Sequence, residues 1–175
     1  MKLNYTKTLL FSVIVAGMGI FAACDNAEYS VLDTHAYIDE ALDGTSTKVT
    51  VQATGETTTT INIHMSNAAS VDSHYKLVVD PSILDEYNKQ NGTSYITIPE
   101  GQYKLPEDIL IKSGKYNAEE TTITLEAFSD EMVDSGEAYA LPVRLVSKDG
   151  NYPVMANTGA VSYTHLRAHE TGRNL

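Results

Sequence analysis

Thr57-Thr58-Thr59-Thr60-Ile61-Asn62-Ile63-His64-Met65 sets Thr59, Ile61, Ile63 and Met65 against Thr60, Asn62 and His64, a period-two alternation rich in β-branched residues. Successive side chains of extended backbone point to opposite sides, so this run predicts a strand with one buried face. The same alternation precedes it from Ser46 to Ala53, where Thr47, Val49, Val51 and Ala53 share a face. Gly55 and Glu56 supply a turn between the two segments, which together read as a hairpin. The pattern continues in Tyr75, Leu77 and Val79, in Ile109 with Ile111, in Thr121 with Ile123, Leu125 and Ala127, and in Tyr139 with Leu141, Val143 and Leu145. An earlier strand covers His35 to Glu40. Pro142 has no N–H to give a ladder, which predicts an edge or a bulge there.

One segment breaks the alternation. Asp80-Pro81-Ser82-Ile83-Leu84-Asp85-Glu86-Tyr87-Asn88-Lys89-Gln90-Asn91-Gly92 offers an N-cap Asp, Pro at the first helical position, acids in the first turns, the apolar stripe Ile83, Leu84, Tyr87, and Gly as the stop. That predicts one short helix near 81–91, inserted between strands. Pro99-Glu100-Gly101 predicts a tight turn. Seven or eight short strands at roughly ten-residue intervals then point to an all-β chain folded as an antiparallel sandwich, since a parallel α/β fold would need more helices.

The 175-residue chain carries a formal charge of −11 and a single cysteine, Cys24. It has no means of forming an intrachain disulfide or a cysteine-ligated zinc cluster, which needs two to four thiolates. The charge also argues against nucleic acid, whose binding draws mainly on Lys and Arg. Residues 24–161 hold 22 acids against 8 basic residues, a net of −14, a field that serves solubility.

Both ends stand apart from this body. Lys2 and Lys7 precede a run from Thr8 to Phe21 without a charged residue, too short to span a membrane and suited to a signal-peptide core. Phe21-Ala22-Ala23-Cys24 follows and resembles the lipobox of bacterial lipoproteins, with Phe in place of the usual Leu. The resemblance implies that residues 1–23 are a leader, that Cys24 is lipidated and opens the mature chain, and that residues 24–34 are a tether. Two or more acyl chains anchor stably, each buried CH₂ contributing about 0.8 kcal/mol. At the other end, Arg167 and Arg173, two of the three arginines, cluster with His165 and His169, while all nine lysines lie earlier. Residues 162–175 resemble a recurrent tail of translated adapter DNA and are read as an artefact. The domain is thus expected at 35–161, with its last strand opening at Ala160 and Val161 and cut short by that tail.

From about Ala36 to Val161 the chain resembles a Bacteroidetes lipoprotein N-terminal domain of unknown function. The resemblance rests on Asp80-Pro81-Ser82 leading to Tyr87-Asn88 and Asn91-Gly92-Thr93, then Tyr95, Pro99-Glu100-Gly101 with Tyr103, and Tyr139-Ala140-Leu141-Pro142-Val143-Arg144-Leu145. It implies an immunoglobulin-like sandwich that heads longer proteins of surface glycan utilisation, so that this chain is a fragment of one. It implies no catalytic residues. The implied place is the cell envelope, most simply the outer membrane on its periplasmic or surface face.

Trp is absent and Phe128 is the one Phe after the leader, so tyrosine alone could stack on sugar rings. Tyr75, Tyr87 and Tyr139 fall in phase with aliphatic neighbours and read as core. Tyr95, Tyr116 and Tyr152 fall out of phase or in loops, and are the candidate glycan contacts. Asp130, Glu131, Asp134 and Glu137 gather between two strands, but without the ligand spacing of a calcium loop they read as a solvated acidic loop. His64 and His74 flank Asp72 with no evident third ligand, so no metal and no cofactor is implied. Nucleophile elbows and phosphate loops are missing, and neighbouring acids such as Glu119-Glu120 do not establish a glycosidase pair. The expectation is a non-catalytic, lipid-anchored spacer or interaction module. Its partners would be the membrane, polysaccharide or other envelope proteins. Direct oligosaccharide binding is the first alternative, and an adhesin or fimbrial subunit assembling by strand addition the second.

Overall fold

The computed structural model describes residues 33–42, 46–156 and 160–166. The leader, Cys24, the tether up to residue 32 and the tail from residue 167 lie outside the described residues. The elements are β1 (Ala36–Ile38), a 3-10 turn (Asp39–Ala41), β2 (Ser46–Lys48), β3 (Glu56–Ile61), β4 (Ile63–Met65), β5 (Ser73–Val79), helix α1 (Pro81–Asn91), β6 (Ile96–Thr97), β7 (Tyr103–Lys104), β8 (Ile109–Ile111), β9 (Thr121–Glu126), helix α2 (Asp130–Asp134), β10 (Tyr139–Ser147) and β11 (Ala160–Leu166). The fold is mainly β, in three sheets: β2-β11-β10-β5-β8 with β6 also on β10, β3-β9-β7, and β1-β4.

Alternation fixes which face is buried. In β9, Thr121, Ile123 and Leu125 point inward, and in β5 Ser73, Tyr75 and Leu77 do so. Ile61 and Ile123 of the three-stranded sheet, Tyr75, Ile111 and Leu141 of the large sheet, and Ile38 and Met65 of the pair belong to one buried cluster. Each such side chain contributes about 1.5–3 kcal/mol of burial. The buried hydroxyls are satisfied locally, Ser73 donating to Val71 O at 3.2 Å and Thr121 to Glu119 O at 3.1 Å.

Helix α1 keeps its expected bounds. Asp80 is extended at φ −130° and its carboxylate accepts the Ser82 N–H, while Gly92 at φ +64° closes the last turn by donating its N–H to Asn88 O. Of the apolar stripe only Leu84 is fully buried. The helix lies against β10 and β6, and the run Tyr139 to Val143 is buried at every position, as a strand covered on both faces must be.

Several expectations are corrected. Segments 46–53 and 57–65 do not pair: β2 runs parallel to β11, and β3 is antiparallel to β9. The run 57–65 is also broken at Asn62, whose backbone N–H and C=O turn to the Glu40 carboxylate and the Asp39 N–H instead of a ladder. There the chain passes from the β9 partnership to the β1 partnership. Two pairings, β10-β6 and β11-β2, are parallel, so the sheets are not purely antiparallel. Pro142 sits on an interior strand, just past the register shift between Tyr139 and Leu141 and where β5 gives out. Finally, β11 opens at Ala160 and continues to Leu166, so residues 162–166 occupy ladder positions between β10 and β2.

Candidate functional site

The three candidate tyrosines fall into two places. Tyr95 precedes β6, with its backbone N–H bonded to the Asn88 side-chain oxygen and its C=O to the Asn88 amide at 2.9 Å, and its ring tilted against Tyr87 at 6.0 Å. Tyr152 is half-buried and its hydroxyl oxygen lies 2.7 Å from the Ser70 N–H it accepts and 2.6 Å from Ser70 Oγ. Those bonds hold its pKa below the usual phenol value. Tyr116 is 60% exposed, and its C=O accepts the Met65 N–H, close to where Lys115 C=O accepts the Ala69 N–H. Tyr116 and Tyr152 therefore share the loop around Ala69 and Ser70. Tyr95 stands near the Tyr139 end of β10 and Ser70 near its Ser147 end, since Ile96 N bonds Ala138 O and Lys148 N bonds His74 O. Nine residues of strand separate those ends, about 26 Å at ~3.3 Å per residue. No single sugar ring could touch both groups.

Tyr75 and Tyr139 are buried, as their phase requires. Burial, then the charge of Asp149, pushes the Tyr75 hydroxyl up to about 12. It donates to Met65 Sδ at 3.5 Å.

The acidic stretch is not a loop. Ser129 accepts the Met132 N–H at 3.3 Å, Asp130 and Glu131 occupy the first turn, and the five-residue helix α2 buries Met132. An N-capping Ser followed by acids was the local signal for it. The histidines take separate roles: His64 stacks on Tyr37 at 5.8 Å, His74 Nδ1 lies 2.8 Å from Asp108, and Asp72 accepts the Ser113 N–H. Among the described residues no group of three or more His, Cys, Asp or Glu is placed to hold a metal ion.

Carboxylates with shifted pKa values are tied to cations or hydroxyls. Lys104 bridges Glu56 and Glu126 at 2.6 and 2.8 Å, and its hydrogen bond holds Glu56 below the usual range. Lys148 and then His74 do the same for Asp108, as Lys112 does for Glu119. The Lys104 pairs join β7 to β3 and β9, and the other two link loop residues at strand ends.

Among the described residues the surface carries several clefts, of which two gather polar side chains from segments distant in the chain. One, of about 360 Å³, is lined by Asn62, His64, Asn117, Glu119 and Glu120 beside β4. Its polar side chains are engaged: the Asn62 amide donates to Glu40, the Asn117 amide to Ala118 O, and Glu119 pairs with Lys112. The second, of about 320 Å³, lies between the Pro99–Gly101 turn and α2. Sequence reading singled out neither, because each is assembled from segments distant in the chain.

A mainly β domain with its acids in structural pairs and shallow clefts on its surface is the class these features define. Residues 32–152 match the model of a family described as an N-terminal domain, and the chain belongs to that family. No curated protein matches it. Among solved structures, a Bacteroides ovatus ATCC 8483 protein proposed to bind carbohydrate is similar at TM-score 0.64 and 24% identity, over 77% of this chain and 37% of that one. A two-domain protein of unknown function from Bacteroides fragilis NCTC 9343 is similar at TM-score 0.61 and 10% identity, over 78% and 46%. Bacteroides thetaiotamicron EndoBT-3987, solved with a Man5GlcNAc product, is similar at TM-score 0.59 and 17% identity, over 74% and 30%. At these identities the likeness is one of fold, and the chain spans less than half the length of each of these proteins.

Proposed function

We propose that the three sheets close as an immunoglobulin-like sandwich, and that this domain is a non-catalytic, lipid-anchored spacer or interaction module of a bacterial cell-envelope lipoprotein in glycan acquisition. The single buried cluster shared by all three sheets supports the sandwich. The observation that carries the function is a match to a family of N-terminal domains from residue 32, a short tether beyond the lipobox-like Phe21-Ala22-Ala23-Cys24. A domain in that position sets whatever follows it away from the membrane. The shifted carboxylates favour a structural reading of the acids, because a general acid needs its pKa raised whereas Glu56, Asp80, Asp108 and Glu119 are all lowered. The anchor places the body at the outer membrane. Membrane fractionation of the full chain tests this: wild type partitions with membranes, and Cys24→Ala is released to the soluble fraction. Cys24→Ala remaining with the membrane would overturn it.

Direct capture of oligosaccharide is the second reading, favoured by two proteins of similar fold, one proposed to bind carbohydrate and one solved with a Man5GlcNAc product. The separation of Tyr95 from Tyr152 requires that any such site be smaller than a three-tyrosine platform.

A further inference from the structure

A further cleft, of about 300 Å³, opens where two sheets part and is lined by Leu110, Lys112, Lys115, Asn117, Ala118 and Glu119. β8 is an outer strand of the large sheet, and the chain leaves it through the turn Lys112-Ser113-Gly114-Lys115, closed by the Lys115 N–H donating to Lys112 O at 3.0 Å with Gly114 at φ +80°. It returns beside β4, where Asn117 bridges His64 and the Ala118 N–H donates to Ile63 O at 3.0 Å. Alternation sorts the side chains of the two banks. Ile109, Ile111 and Ala118 are buried, so Leu110 and Lys112 on one bank and Asn117 and Glu119 on the other face outward. Lys112 Nζ reaches across to Glu119 Oε1 at 2.7 Å.

Lys115 has no acid of its own. Lys104, Lys112, Lys148 and Arg144 are each bound to a carboxylate, whereas exposed Lys115 forms no ion pair among the described residues. Lys48, Lys76 and Lys89 also lack one, but they line none of the three clefts. The Lys115 backbone is held by Lys112 O and by the Ala69 N–H that its own C=O accepts. Its four-carbon stem is left to carry the ammonium over the cleft. The acidic body as a whole is screened beyond about 8 Å at physiological salt, so the groups at the cleft decide what binds there. Those are two ammoniums and the Glu119 carboxylate, with Asp72 behind the turn accepting the Ser113 N–H.

A phosphate would bring up to about two negative charges beside Glu119. A monoanion that also carries hydroxyls suits the set of groups. Its carboxylate pairs with Lys115, and its hydroxyls donate to the second Glu119 oxygen and to the side-chain oxygen of Asn117, whose amide nitrogen already donates to Ala118 O at 3.0 Å. Leu110 and Ala118 supply an apolar floor for a C–H face. The volume, about 300 Å³, stands at the small end of the roughly 300–1,000 Å³ range of ligand pockets and suits one ring. We propose that this cleft is a subsite for a hexuronate, a pyranose bearing a carboxylate, with Lys115 as its anion-binding group. The choice of a sugar over an acidic peptide rests on the oligosaccharide-capture reading above.

Calorimetric titration of the full chain at about pH 7, where carboxylates are ionised, tests the proposal. Glucuronate and galacturonate are the probes, with glucose, mannose, N-acetylglucosamine, acetate and phosphate as separate arms. At least one uronate should bind with a Kd of order millimolar, about fivefold more tightly than glucose or acetate, the worth of one partly exposed ion pair. Lys115→Gln should remove that margin, Lys115→Arg should keep it, and Lys89→Gln on α1 should leave it unchanged. No uronate binding at about 50 mM, far above a millimolar Kd, would overturn the proposal, as would uronate binding indifferent to Lys115→Gln or equally weakened by Lys89→Gln. Acetate or phosphate binding as tightly as uronate, an adventitious ion only, would overturn it too. Neutral sugars binding where uronates do not would strike the subsite and leave oligosaccharide capture standing, whereas failure of every sugar would strike both.

Discussion

Asp80 joins the inserted helix to the large sheet, and its replacement by Ala has a magnitude that the geometry fixes. One carboxylate oxygen accepts the Ser82 N–H at 3.0 Å and the Ser82 hydroxyl at 2.6 Å, and the other accepts Arg144 Nε at 2.7 Å. Losing the N-cap costs about 1 kcal/mol. The Arg144 pair is partly exposed, 26% on the Asp side and 40% on the Arg side, so solvent screening limits it to about 0.5–1 kcal/mol. Asp80→Ala should therefore destabilise by about 1.5–2 kcal/mol, a fall in Tm of roughly 6–8 °C for a domain of this size. Asp80→Asn retains a capping oxygen and loses only the charge, so its Tm should fall by roughly 2–4 °C. Differential scanning calorimetry at pH 7 separates the three proteins. Equal losses in Asp80→Ala and Asp80→Asn would refute the capping argument, and a loss within 1 °C of zero for Asp80→Ala, at about the precision of such a comparison, would refute both terms. The Ser82 bond, then Arg144, holds this carboxyl below its ordinary value. The charge-dependent part of its contribution is therefore fully present above the unfolded pKa and disappears as pH falls through the folded one, so at low pH wild type should converge on Asp80→Asn, while its advantage over Asp80→Ala narrows without vanishing.

Ile123 is fully buried in β9, and Ile123→Ala should cost about 3–4 kcal/mol in urea unfolding. Gly92→Ala meets no neighbouring atom within 4 Å but must hold φ +64°, so a loss of about 1 kcal/mol is expected from backbone conformation alone. The lowered pKa values of Glu56, Asp108 and Glu119, caused first by Lys104, Lys148 and Lys112, make the urea midpoint fall as pH drops from about 5 to about 3. Raising salt should blunt that fall, because these pairs are exposed.

Local signals in the sequence were reliable where the physics is local. Asp80, Pro81 and Gly92 determine the ends of α1 within its own segment, and the alternations of β5 and β9 identify their buried positions without reference to partners, whereas in β10 Ala140 and Pro142 are buried as well because the helix covers the second face. Strand pairing is different. Val51 is fully buried, as its phase predicts, yet residues 49–55 carry no ladder, because burial of a side chain does not require backbone pairing. The break at Asn62 depends on Glu40, more than twenty positions away, and the two clefts depend on loops brought together by three sheets. The stacking of Tyr37 on His64 has no signature in the sequence, because a single aromatic in a three-residue strand carries no pattern. Residues 162–166 lie in a strand despite the shift in composition there, since ladder bonds are made by backbone that every residue but proline supplies.

The anchored-module account stands most directly on the chemistry of Cys24. Mass spectrometry of the amino-terminal peptide, from protein expressed in a diderm bacterium and extracted from its envelope with detergent, should find a chain that begins at Cys24 and carries thioether-linked diacylglycerol. A mature chain with an unmodified Cys24, or one that still retains residues 1–23, would contradict the account.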